Sequence, residues 1–171
     1  MDNGWHVAMD MLLKGVEAWN AWRDENPNVF PDLSRENLTN AHLPRANLFG
    51  ATLIEANLSG ADLSRAKLTF ANLIGAKLPG ANLSGADLML TNLSEANLTD
   101  AILTDDANLR EANLSGTNLS GANLTDAILI GTILSRAKLT DTNLTEARLH
   151  RTVFASTVLT KVKGLDRTKQ H

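Results

Sequence analysis

A large apolar residue, almost always leucine, recurs at every fifth position from Leu33 to Leu159. The run proceeds through Leu38, Leu43 and Leu48 to Leu103, slips by one residue at Asp105-Asp106, and resumes from Leu109 through Leu149 to Phe154 and Leu159. It comprises 26 units, fifteen before the slip and eleven after it. No continuous regular backbone buries such a row. On an α-helix, residues five apart are offset by roughly 140°, so the leucines would spiral round every side. On a strand the odd period would send them to alternate faces. Within one unit, however, the residue two before the leucine shares its face of a short extended segment. That residue is Ala in eighteen units and Thr in six. All the leucines converge only if the chain turns a corner after each unit. The Ser or Thr that usually follows the leucine, and the Gly, Asx or other charged residue after it, suit such a corner. The spacing predicts a coil with short sides that holds Ala and Leu inside.

Segments such as Ala61-Asp62-Leu63-Ser64-Arg65 and Ala122-Asn123-Leu124-Thr125-Asp126 read A(N/D)LXX. With this motif repeated over residues 31–161, the chain closely resembles the pentapeptide-repeat family. The resemblance implies an all-β fold, a right-handed quadrilateral β-helix with four units per coil and about six and a half coils. Coils stacked at about 4.8 Å would give a shaft of roughly 30 Å. The lead-in from Val16 to Arg23, followed by Asn26-Pro27 and Pro31-Asp32-Leu33, is similar to that of the cyanobacterial type.

Solenoid ends expose their core and need caps. Trp5, Met9, Leu12, Val16, Trp19 and Trp22 form an apolar stripe at helical spacing, so residues 1–30 are expected to supply a capping helix ended by Asn26-Pro27. The mixed charge of the opposite face (Asp10, Lys14, Glu17, Arg23) disfavours a membrane-surface helix. Residues 31–161 form the repeat region and 162–171 a basic tail. The C-terminal end has no helix, and its last units turn apolar outside at Val153 and Val158. A homodimer joined through the C-terminal coils is expected, an arrangement some family members use. The slip is either a bulge at a corner or a joint between two repeat blocks.

Composition narrows the function. There is no Cys, which excludes disulfides and thiolate metal sites. The net charge is −3 and only 4% of residues are aromatic, which fits neither a polyelectrolyte partner nor a base-stacking platform. The opening Met1-Asp2-Asn3-Gly4 has no basic region leading an apolar one, and no eighteen-residue apolar run follows. A cytoplasmic protein without a membrane or direct nucleic-acid partner is expected. The histidines (His6, His42, His150, His171) are scattered, and inward positions hold almost only Ala, Thr and Leu, so no enzyme, metal site or cofactor is expected. The asparagine before most leucines is expected to satisfy corner backbone rather than to read bases.

Two readings of the surface remain. Stacked four to a coil, Phe49, Phe70, Met89, Leu90, Ile128 and Ile130 fall on one face, with Ile54 and Ile74 on the adjoining one. Exposed, they form a protein-contact ridge on a non-catalytic interaction module, its partner protein unspecified; packed along the shaft, they are structural. The alternative comes from the family, some members of which mimic duplex DNA and bind type II topoisomerases such as gyrase. Asp87, Glu95, Asp100, Asp105, Asp106 and Glu111 stand against Arg110 alone over twenty-five residues, with Asp126 and Glu146 beyond. The whole repeat region, however, carries thirteen acids against eleven bases, a weak imitation of a duplex.

Overall fold

The structure, a computed structural model, describes residues 5–167. From Asp32 to Lys163 each unit contributes one isolated parallel β-bridge, made by the residue just before the leucine. Bridged residues lie twenty positions apart, as in Asp32↔Thr52 and Asn37↔Asn57, so the chain closes a circuit every four units. The four sides begin at Asp32, Asn37, His42 and Asn47 respectively. They are numbered here in that order, each with the corner that follows it. Three bonds stitch a typical unit to the one stacked on it, one at the corner, as the Glu55 N–H donates to the Ile74 carbonyl at 2.9 Å, and two along the side. The Leu53 N–H donates to the Asn72 carbonyl at 2.7 Å, and the Asn72 N–H donates back to Ala51 at 2.9 Å. All four sides repeat this pair, which leaves the inward faces to pack against one another.

The corners explain the rest of the motif. The leucine carbonyl accepts the N–H of the next unit's first residue, as Leu58 does from Ala61 at 3.0 Å. The second corner residue then takes a left-handed conformation, with φ of 56° at Arg65 and 71° at Gly121. Gly, Asn and Asp tolerate this region best. Gly50 is needed twice over, because φ is +64° and a Cβ would collide with the Phe30 ring. The asparagine before the leucine caps the corner: Asn57 Oδ1 accepts both the N–H (3.2 Å) and the hydroxyl (2.6 Å) of Ser59. This Asx bond accounts for the recurrent Asn-Leu-Ser and Asn-Leu-Thr triplets.

Inside, leucine and alanine pack without solvent, Leu53 to Leu83 and Ala46 to Ala66 being at most 1% exposed. Where Thr replaces Ala its hydroxyl is used. Thr91, Thr117, Thr132, Thr142, Thr152 and Thr157 each donate to a leucine carbonyl of the coil before, at 2.6 to 2.9 Å. A buried hydroxyl costs little when so bonded.

The slip is a bulge at the third corner. Across it the bridges span twenty-one residues (Asp87↔Asn108 to Ile102↔Asn123), then return to twenty. Asp105 and Asp106 are both left-handed, at φ 57° and 58°, so the extra residue is absorbed in the corner. Leu109 and Leu114 stay fully buried beyond it.

The N-terminal end departs from the single helix read from the stripe. Two helices form instead, α1 (Trp5–Leu13) and α2 (Val16–Glu25). Gly15, at φ 107° and ψ 168°, lies outside the helical region and breaks the run between them. Ala8, Leu12 and Trp19 join the core, with Met9, Val16 and Trp22 half-buried against it, while the Trp5 side chain lies outside the described residues. Asn26 closes α2, its Nδ2 donating to the Trp22 carbonyl at 2.8 Å.

Side chains of α2 also stand in for a missing coil on the fourth side. The Asn47 N–H donates to Asn20 Oδ1 at 2.8 Å, and the Asn47 carbonyl accepts Trp19 Nε1–H at 2.9 Å. The Phe49 carbonyl accepts the Arg23 guanidinium at 3.0 Å. In the next coil the equivalent groups of Lys67 and Thr69 bond to Ala46, Leu48 and Gly50.

At the C-terminal end the ladder runs to Lys163, two residues past the boundary at 161 read from the leucine period, because Val162-Lys163-Gly164 adds a bridge without a leucine. A short 3-10 helix, Leu165–Arg167, follows. Leu159 is 43% exposed, Phe154 is half-buried, and no coil lies beneath them among the described residues.

Candidate partner-contact surfaces

The apolar positions singled out in the sequence gather at the fourth corner, though not all are exposed. Phe49, Phe70 and Leu90 are 38%, 55% and 37% exposed. Met89 and Ile130 are half-buried beside them, as are Ile54 and Ile74 on the adjoining first side. Ile128 does not belong to the exposed ridge. It sits within the fourth side, 7% exposed, on the coil that Arg148 crosses to reach Asp106 two coils back. Phe30, unassigned in the sequence reading, extends the row at the top. It is 62% exposed, its ring centroid lies 6.5 Å from that of Phe49, and Phe49 meets Phe70 edge-on at 5.7 Å. The signal for it was positional, since Phe30 stands twenty residues before Gly50 in the same column.

Two of these residues occupy the least suitable backbone for them. Phe70 (φ 61°) and Leu90 (φ 57°) take the left-handed corner that Gly50 and Gly131 fill in the same column. An L-residue there costs about 1–2 kcal/mol, and the half-exposed side chains recover little of it by burial. Beneath the row, Arg23 is 2% exposed and its charged head bonds the carbonyls of Val29 and Phe49, with no carboxylate partner among the described residues. Burial lowers its pKa, and its Nε makes no hydrogen bond.

The acidic residues do not form one line. Glu95, Asp100, Asp105 with Asp106, and Glu111 fall on the first, second, third and fourth corners of consecutive units, a ring around one coil, and Asp87 lies within the fourth side. Only the third corner extends along the axis, through Asp126 and Glu146.

An open groove of about 660 Å³ lies between α2 and the third side, lined by Val16, Glu17, Arg45, Arg65 and Asp105 among others. Among the described residues no group of three His, Asp or Glu is placed to hold a metal. No helix among them is long and apolar enough to cross a membrane.

His42 Nδ1 lies 3.3 Å from Asp62. At Asp62 burial pushes the pKa up, but the Ser64 hydroxyl and N–H and the His42 charge together outweigh it and hold the carboxyl below its ordinary value. Asp32 is also held low, by the Ser34 side chain and N–H. A carboxylate lowered on folding adds stability above its unfolded pKa of about 3.9, and loses it as pH falls through the folded value. Asp62→Asn, which keeps the Asx bond, should therefore lower the melting temperature at about pH 7, with the two proteins converging near about pH 2. A constant gap at both pH values would contradict this.

Parallel bridges every four units, a shaft filled with leucine and Asx-capped left-handed corners define a β-helical repeat protein built from five-residue units. The pentapeptide repeats model matches in 8 copies over residues 32–69, 66–105, 105–141 and 132–163, and the chain belongs to this family. A solved pentapeptide repeat protein, Rfr23 from the cyanobacterium Cyanothece 51142, is 31% identical over 89% of this chain and 97% of its own, with a TM-score of 0.45. HetL from the cyanobacterium Nostoc sp. strain PCC 7120, involved in heterocyst differentiation regulation, is 26% identical over 83% of this chain and 79% of its own, with a TM-score of 0.43. Trypsin-treated QnrB1, a plasmid-mediated fluoroquinolone resistance protein, is 19% identical over 78% and 77% at a TM-score of 0.58, a likeness of fold alone. The search of curated proteins finds no match.

Proposed function

We propose that this protein is a non-catalytic interaction module, a right-handed quadrilateral β-helix of about six and a half coils whose fourth corner receives a protein partner. The observation that carries this is the exposed row Phe30, Phe49, Phe70 and Leu90, two of them in a backbone conformation that favours glycine. Scattered apolar residues are normal on a surface, but a contiguous, conformationally costly row points to a contact. The acidic residues support the duplex-mimic reading less well. Most of them ring one coil, and the third corner opens with Arg45 and Arg65, whereas a duplex presents negative charge along its whole axis. An end-to-end homodimer through the exposed C-terminal coil is the competing mode of self-association, distinguished by its survival in about 1 M salt.

Phe70→Gly with Leu90→Gly tests the ridge without straining the fold, because glycine already fills this corner at Gly50 and Gly131. Capture of partners from the host's own extract is expected to be lost, while the melting temperature stays level or rises. Undiminished capture by a folded variant would refute the reading.

A further inference from the structure

The second residue of the third corner reads, coil by coil, Arg45, Arg65, Gly85, Asp105 with Asp106, Asp126 and Glu146. Charge is thus segregated along one edge, with cations at the N-terminal end and acids below a glycine. The first corner shows the ordinary solution, in which Arg35 and Glu55 on adjacent coils pair at 2.9 Å. At the third corner like charges follow one another at the coil spacing of about 4.8 Å, and like charges facing across a ladder destabilise it. Arg45, Arg65, Asp105 and Asp126 are all exposed, and among the described residues none of them enters an ion pair. Asp106 meets Arg148 at 3.3 Å. The flanking charges are Glu17 of α2, His42 with Asp62 on the third side, and Lys67 and Asp87 on the fourth, and they are mixed in sign. Asp106 apart, the isolated fold gives Arg45, Arg65, Asp105 and Asp126 no charge partner among the described residues.

We propose that the third corner is a self-complementary surface on which a second copy of this chain packs side by side and antiparallel. A two-fold axis between the coils of Gly85 and Asp105 sets Arg65 against Asp126 of the second copy and Arg45 against Glu146 of the second copy, each twice. Gly85, lacking a side chain, then faces the two-residue bulge of Asp105 and Asp106. A slide by one coil one way sets Asp105 on itself, while a slide the other way pairs Arg45 with Asp126 and Arg65 with Asp105; Arg65 and Asp126 face each other only in the first alignment, so that pair identifies it. A uniformly acidic or basic partner, nucleic acid included, is repelled by one half of the edge. A reversed copy of the same edge matches both halves.

Exposed charge pairs are individually weak and screened, so the association is low in affinity and salt-sensitive. Sedimentation of the full chain should show a dimer at about 0.01 M salt, where the screening length is about 30 Å, and a monomer at about 1 M, where it is about 3 Å. Arg65→Glu and Asp126→Arg should each weaken the dimer by about tenfold or more, and combining them should restore it, because the swapped pairs attract again. A wild-type monomer at low salt overturns the proposal, and so does a double variant no better than the singles. So does a dimer that survives 1 M salt and both single changes, as an end-to-end joint through Leu159 would.

Discussion

Leu83→Ala is expected to cost about 3–5 kcal/mol, the upper range for a fully buried leucine whose surroundings cannot collapse. Leu63 lies one coil above Leu83 and Leu103 one coil below, both fully buried, and alanines line the remaining space. The backbone is tied to both neighbouring coils, by the Leu63 N–H to Asn82 at 2.8 Å and by the Leu83 N–H to Ile102 at 2.7 Å. Closing the cavity would mean pulling those bridges out of line. The same change at Leu159, already 43% exposed, should cost under about 1 kcal/mol. Urea unfolding of both variants measures the contrast. A solenoid is stabilised coil by coil, so Leu83→Ala should also broaden the transition or split it, the shaft parting at the weakened coil. Equal losses at both positions would mean that the leucines do not form one continuous shaft.

Trp19→Ala should be nearly as severe, about 3–5 kcal/mol. The change removes a side chain that is 0% exposed, and it also strips the Asn47 carbonyl of its donor. Asn20→Ala separates the two contributions. It deletes little apolar area but orphans the Asn47 N–H and a bond to the Arg45 carbonyl, for about 1–3 kcal/mol. Hydrogen exchange localises the effect: in Asn20→Ala the Asn47 amide should lose protection while the Lys67 amide, bonded to Ala46, keeps it. Unchanged protection at Asn47 would show that the helix side chains do not substitute for a coil.

The converging leucines, the corners and the Asx-capping role of asparagine were legible in the sequence because each follows from a five-residue period and elementary side-chain chemistry. Four-sidedness was not, since a period of five fixes no number of units per coil. It came from the family resemblance and stands here on the twenty-residue bridges. The break at Gly15 was hidden because a helical stripe continues in phase from Leu12 to Val16 across it. Phe30 was overlooked because it precedes the first leucine, and its place shows only when Gly50 leaves room for its ring. Ile128, 7% exposed, lies on the coil between those of Arg148 and Asp106, which bond to each other across forty-two residues, a proximity no local pattern records.

The strand surrogate on α2 also bears on how copies of this protein can assemble. A stack of parallel bridges presents the same unsatisfied edge at top and bottom, so a shaft open at both ends would join head to tail without limit, the geometry of a growing fibre. Trp19, Asn20 and Arg23 occupy the upper edge of the fourth side, and α1 covers the leucines beside it with Ala8 and Leu12. With the fourth side occupied, no complete coil can stack on the upper end, whereas no coil covers the lower end among the described residues. Closing one end in this way turns a self-propagating surface into one that terminates after a single pairing, and the helices serve solubility as much as stability.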